Sequence, residues 1–246
     1  MINMFDVSRA AGDWVGAVML ERVLWPHCLH SLGERTNSGF GKAAIFIPGL
    51  FAKDSSMGVL RARMAQHGFL ALASGILGRN TGDYSTHEQH VLDTIHKAAD
   101  ITGEPVSLVG WSMGGRFARK IAQKHPTLIR SLITLGTPLK ALSATKLESR
   151  LLPARLKVEM GEDVPECPAS IPHTAIVAGM DGVVKRKDAL ICESELRLGR
   201  RENVIVFTTH IGLGHSRHVA EIVARRLFQD PKSWQPDAQT LSKGVH

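Results

Sequence analysis

Three observations predict an α/β protein with a doubly wound, mainly parallel sheet of about six strands flanked by helices. Short apolar runs of strand length recur from residue 43 onward, helix-length segments separate most of them, and one run leads into a helix through a glycine-framed turn. The runs are 44–47, 69–73, 106–109, 131–135, 174–178 and 204–207. Strands that alternate with helices need right-handed crossovers, which is what makes the sheet parallel.

Between the strands, Ser85 with Glu88 has capping-box spacing and predicts a helix over 86–101. A second helix runs from Met113 to about His125, where Pro126 follows, and the last covers 217–228. Val7, Ala11, Trp14, Val15, Val18 and Leu24 recur at helical spacing before Trp25-Pro26, which predicts an amphipathic N-terminal helix over 6–25. The chain thus divides into an N-terminal helical extension (1–42), one α/β domain (43–229) and a polar tail (230–246). Within the domain, the long connection 138–172 is basic and proline-punctuated. Its leucines Leu142, Leu147, Leu151, Leu152 and Leu156 predict a short amphipathic helix, read either as a small lid over the site or as surface packing away from it.

Composition excludes several function classes. Hydrophobic residues make up 43% and charged residues 22% of 246, ordinary for a globular domain rather than a fibre or a disordered chain. The net charge of +7 comes from scattered Lys and Arg, not from basic runs interleaved with aromatics, so solvated helix faces are expected and nucleic acid is not an expected partner. Contact of the N-terminal helix with a membrane surface is the less favoured reading, because its polar face is not strongly basic. Cys28, Cys167 and Cys192 are odd in number and lack metal-finger spacing, which indicates idle thiols in a reducing compartment. No export signal is evident, so a cytoplasmic location is expected. His87, His90 and His96 share a predicted helix with Glu88 but form no HExxH and are read as exposed polar positions. Gly33, Gly39 and Gly41 form no phosphate loop. No metal and no cofactor are expected.

The chemistry-bearing signal is Gly110-Trp111-Ser112-Met113-Gly114, which follows the strand 106–109 and opens a helix. In that context a GxSxG segment is a nucleophile elbow. The serine sits on a turn so sharp that side chains two residues either side would collide. The helix N-terminus adds free N–H groups beside the reacting carbon. An oxyanion hole then needs the N–H of Met113 and a second donor from the loop after the first strand. Pro48-Gly49-Leu50-Phe51 supplies that loop, with the Leu50 N–H as the candidate.

An acid should follow a later strand, and Asp181 stands just past 174–178, ahead of Asp163 and Glu162, which lie in the long loop. A histidine should follow the next strand. His210, His215 and His218 compete there; His218 belongs to the final helix, while His210 and His215 are evenly matched on spacing.

The ordered set Pro48-Gly49, Gly78-Arg79-Asn80, Gly110-Trp111-Ser112-Met113-Gly114-Gly115, Leu135-Gly136-Thr137-Pro138, Asp181-Gly182-Val183-Val184 and His210-Ile211-Gly212-Leu213 resembles a mostly bacterial group of α/β-hydrolase esterases and lipase-like proteins. The resemblance spans roughly 43–236, including Trp234-x-Pro236. It departs from well-known lipases at Pro48-Gly49, where those carry His-Gly, and in the first 42 residues. The resemblance implies the α/β-hydrolase fold and a His-x-Gly-Leu motif whose histidine is the catalytic one. That selects His210 and leaves His215 as the alternative base. The expected function is a serine hydrolase of small-molecule carboxylic esters, with short to medium acyl chains. An acyltransferase or thioesterase with the same triad is one alternative. A non-catalytic binding module on the same fold is the other.

Overall fold

A computed structural model of the protein describes residues 39, 41–141 and 154–236. The expected helix over 6–25, residues 142–153 with four of the five lid leucines, and the tail from 237 lie outside the described residues. Six strands form the sheet: β1 (Ala43–Ile47), β2 (Leu70–Ala73), β3 (Val106–Trp111), β4 (Ile129–Leu135), β5 (His173–Ala178) and β6 (Arg201–Val206). Their order is β2-β1-β3-β4-β5-β6, and every pair is parallel. The helices among the described residues are α1 (Gly58–Gln66), α2 (Tyr84–Thr102), α3 (Met113–Lys124), α4 (Ala154–Gly161), α5 (Arg186–Ala189), α6 (Glu193–Leu196) and α7 (Arg217–Phe228).

The strands read as continuous apolar runs because both sheet faces are covered. Alternate side chains then divide between two cores. Ile45, Ile47 and Leu108 pack with Val91, Ile95, Phe117 and Ile121 of α2 and α3. Ala44, Phe46 and Val109 pack on the opposite face with Leu60 and Met64 of α1 and Val219 and Val223 of α7. Each fully buried Ile, Leu or Phe contributes about 1.5–3 kcal/mol of apolar burial, so these two layers carry much of the stability.

The topology also fixes where a site can form. From β1 the chain crosses to β2 on one side and then returns past β1 to β3 on the other. The loops leaving β1 and β3 therefore part in opposite directions at the carboxyl edge of the sheet. Such a switch point opens a crevice there.

Several local expectations change. Helix α2 starts two residues earlier than its capping-box signature implies, because Asp83 is the cap and accepts from the Ser85 N–H at 3.1 Å. Glu88 instead accepts from the Tyr84 hydroxyl and from Lys124. His87 is not an exposed polar position; it is buried and faces Thr81, while His96 is exposed as expected. The basic residues are not all on solvated faces either: Arg116, Arg119, Arg201 and Arg226 are buried. The last strand closes at Val206, and Phe207 stands outside it with its side chain in solvent.

Candidate active site

Each residue singled out for chemistry lies just past the carboxyl end of a strand. Pro48–Leu50 follow β1, Ser112 follows β3, Asp181 lies past β5 and His210 past β6. Parallel strands all release their chain at one edge, so residues far apart in sequence converge there.

Ser112 has φ 53° and ψ −120°, a backbone region that side-chain-bearing residues avoid. Its N–H donates to the Leu135 carbonyl at 2.8 Å, and its own carbonyl accepts from Gly115 at 3.0 Å, so both sides of the turn are held. The flanking glycines are required sterically. A Cβ on Gly110 would lie 2.4 Å from the Gly115 α-carbon, and one on Gly114 would lie 2.2 Å from the Ile47 carbonyl oxygen. The elbow is therefore pressed against the end of β1, which brings the loop after β1 to the serine. A Cβ on Gly49 would stand 3.3 Å from the Ser112 Cβ and 4.0 Å from its Oγ. Among the described residues no acceptor lies opposite the N–H of Leu50 or of Met113.

The structure brings Asp181 and His210 together. His210 Nδ1 lies 2.7 Å from Asp181 Oδ2, with both side chains nearly buried. The other carboxylate oxygen accepts from the backbone N–H groups of Val183 at 2.8 Å and Val184 at 2.7 Å, which fixes the carboxylate plane. The His210 loop is anchored in turn: its carbonyl accepts from the Trp111 indole N–H at 3.1 Å, and Thr209 Oγ1 accepts from the Gly212 N–H. Both the pair and the serine border the stretch Leu135-Gly136. Leu135 takes the Ser112 N–H, while a Cβ on Gly136 would sit 3.1 Å from His210 Nδ1 and 3.2 Å from Asp181 Oδ2.

The remaining candidates stand apart. His215 ends the 3₁₀ turn Gly212–Gly214, and its pKa is lowered by burial and by the Arg63 charge. His218 is exposed on α7. Asp163 accepts from the Ala141 N–H, and Glu162 offers its carbonyl to Arg116, so both belong to the stem of the 138–172 connection. That stem is clamped to the elbow helix. Arg116 on α3 donates to the carbonyls of Pro138 at 2.8 Å and Glu162 at 2.6 Å, and also to that of Glu159. Burial pushes its guanidinium down to about 10. Among the described residues no group of three or more His, Cys, Asp or Glu could hold a metal ion, and no helix is long and apolar enough to cross a membrane.

Gly136 beneath the pair, Trp111 over the histidine loop and Asn80 stand in the sequence only as letters of the Leu-Gly-Thr-Pro, Gly-Trp-Ser-Met-Gly and Gly-Arg-Asn motifs.

Comparison with known proteins agrees with this architecture. The family model described as the alpha/beta hydrolase fold matches residues 72–160. A pyrethroid hydrolase, PytH, is similar at 16% identity, with 78% of this chain and 99% of that chain covered and a TM-score of 0.57. A metagenome-derived lipolytic enzyme is similar at 14% identity, with 76% and 92% covered and a TM-score of 0.58. The thioesterase domain of the curacin biosynthetic pathway gives 15% identity, 76% and 91% covered and a TM-score of 0.50. No curated protein matches the chain in sequence. The chain therefore has the α/β-hydrolase fold.

Proposed function

We propose that this protein is a serine hydrolase that cleaves carboxylic esters through an acyl-enzyme. The observation that carries the reading is the 2.7 Å His210–Asp181 pair, seated over Gly136 beside the strained Ser112 turn. Ser112 Oγ attacks the ester carbonyl while His210 takes its proton, and the carbonyl electrons move to oxygen. The N–H groups of Leu50 and Met113 receive that oxyanion. Collapse expels the alcohol, which takes the proton back from His210 and leaves Ser112 acylated. Water then repeats the sequence, releasing the acid and restoring the serine. Asp181 holds the imidazole orientation and stabilises the imidazolium at each proton transfer.

The similarity of the fold to lipolytic and pyrethroid hydrolases supports an ester substrate, and the curacin thioesterase keeps a thioester substrate as the second reading. Exposed Phe51, Leu77, Met180 and Phe207, in loops at the carboxyl edge, favour an apolar substrate. Short to medium acyl chains remain the expected range. A fluorophosphonate probe should label the wild type and fail to label Ser112→Ala. Equal labelling of a folded Ser112→Ala protein sinks the reading. Initial rates on a matched series of esters and thioesters of increasing chain length then decide between the two substrate classes.

A further inference from the structure

The Gly78-Arg79-Asn80 motif lies past β2, at the edge of the sheet, and the proposed reaction assigns it nothing. Its asparagine is completely buried, and four of its polar groups are engaged. The side-chain amide donates to the Pro48 carbonyl at 2.8 Å, and its oxygen accepts from the Gly82 N–H at 2.9 Å. The Asn80 backbone N–H donates to the Ala52 carbonyl at 2.9 Å, and its carbonyl accepts from the Phe51 N–H at 2.7 Å. Three of these bonds reach the loop after β1, at Pro48, Phe51 and Ala52. They bracket Leu50 on both sides without using its N–H.

The bracketed segment would not hold this shape by itself. Phe51 has φ 57°, a conformation that a bulky side chain disfavours. It is pinned at both ends of its own backbone: the N–H goes to Asn80, and the carbonyl accepts from the exposed Arg79 guanidinium at 2.8 Å. Pro48 is fixed from two directions as well. Asn80 grips its carbonyl oxygen, and a Cβ on Gly114 would lie 2.6 Å from that same atom, so the loop is set against the elbow. The motif is anchored from behind by His87, whose Nε2 accepts the Thr81 N–H at 3.1 Å.

We infer that Asn80 is a positioning residue for the oxyanion site: by gripping Pro48, Phe51 and Ala52 it aims the Leu50 N–H at the oxygen of the substrate carbonyl. The inference rests on the serine-hydrolase reading above. An oxyanion donor acts on the transition state, and a few tenths of an ångström decide its worth. Its loss should therefore appear in kcat rather than in KM.

The experiment compares wild type, Asn80→Ala and Arg79→Ala on one p-nitrophenyl ester. Affinity for a trifluoromethyl ketone, which mimics the tetrahedral oxyanion, is measured alongside. Removing a direct oxyanion donor costs about 10²–10³ in kcat. Asn80→Ala should lose roughly 10- to 100-fold in kcat, with KM within about threefold and with the ketone affinity falling in step with kcat/KM. Arg79→Ala removes an exposed side chain that holds only the Phe51 carbonyl, and should lose roughly 2- to 10-fold in the same pattern. Unchanged kcat in folded Asn80→Ala, or a loss confined to KM, overturns the inference. Where Asn80→Ala does not fold, Asn80→Asp decides by the same readouts, since it keeps the acceptor for Gly82 and removes the donor to Pro48; an unchanged kcat with unchanged ketone affinity overturns the inference equally. A wild type that takes no fluorophosphonate sinks the serine-hydrolase reading and this inference with it. A labelled, active wild type whose variants keep kcat sinks this inference alone.

Discussion

Among the described residues two histidine–carboxylate pairs are buried, at opposite ends of the same strands, and their surroundings differ. His210 lies past the end of β6 and shares a 2.7 Å contact with Asp181. His173 opens β5 at the amino edge, and its Nδ1 stands 3.7 Å from Glu195, too far for a hydrogen bond. Burial does not separate them, since all four side chains are almost fully enclosed. Their surroundings do. Glu195 faces two guanidinium groups, Arg119 at 2.9 Å and Arg201 at 3.5 Å, so its charge is spent on neutralising cations. Burial pushes the His173 imidazole down to about 4. Burial would raise the Glu195 carboxyl, but His173 and Arg119 outweigh it and hold it down to about 2. Asp181 is held instead by two neutral backbone N–H groups, and its second oxygen is left to the histidine. Proximity of histidine to carboxylate is thus no sign of a site by itself; what the carboxylate is already neutralising decides.

The sharpest way to break the comparison is to disable each pair in turn and ask what is lost. On the proposed reading His210→Ala should lower kcat on a p-nitrophenyl ester by about 10⁴-fold or more, and Asp181→Asn by about 10⁴-fold. Both should keep the melting temperature close to wild type; comparable turnover in either folded variant removes the triad reading. Glu195→Ala should do the opposite. It strands the buried Arg119 and Arg201 charges, a loss of about 3–5 kcal/mol by the usual cost of breaking a buried ion pair. Urea denaturation measures it, and kcat per labelled active site should hardly move.

Acidity probes the second pair. The folded imidazole of His173 titrates near 4 against an ordinary 6.5. Between those values the unfolded chain binds a proton that the folded chain refuses, so stability falls as pH falls through that window. Glu195 then takes over: its contribution is present above 4.5 and is lost as pH falls toward 2. His173→Asn should flatten the drop in the urea midpoint between pH 6.5 and 4.5 while the drop below 4.5 persists. An unaltered slope in the upper window shows that another group carries it. The smallest effect is expected at His215, which lies beside Arg63 and not beside Asp181. His215→Ala should keep kcat within roughly threefold; a loss as large as that of His210→Ala moves the base to position 215.

The contrast also marks where the sequence was legible. Strand and helix positions were readable because a doubly covered parallel strand is apolar throughout, and the elbow because its glycines are sterically compulsory. The choice between His210 and His215 was not readable from spacing. Both follow the same strand within a glycine-rich loop; the resemblance through His-x-Gly-Leu favours His210, and it is His210 that meets the Asp181 carboxylate. The buried arginines were misread for a related reason. Arg116 and Arg119 look like a solvated helix face until the 138–172 connection folds back over them with its carbonyls, among them Pro138 and Pro165. A pattern confined to one helix carries no information about a chain segment returning from 22 to 46 residues away. Asn80 stands in the sequence only as a motif letter because its partners are backbone atoms, which leave no mark on the sequence of the loop they hold.

The carboxyl-edge location of every reacting group has a further consequence for synthesis. A ribosome releases the chain from its N-terminus, so the elbow and the loop after β1 are complete well before Arg201–Val206 emerges. Until β6 docks on β5, a nascent chain holds Ser112 without His210 beside Asp181, so the proposed triad is incomplete. On the proposed reading, hydrolytic competence therefore waits for β6 and the loop that follows it. The same order ties the proposed chemistry to the core: Val219 and Val223 of α7 pack with Phe46 and Val109, so a chain lacking that end lacks both His210 and the cover of one sheet face.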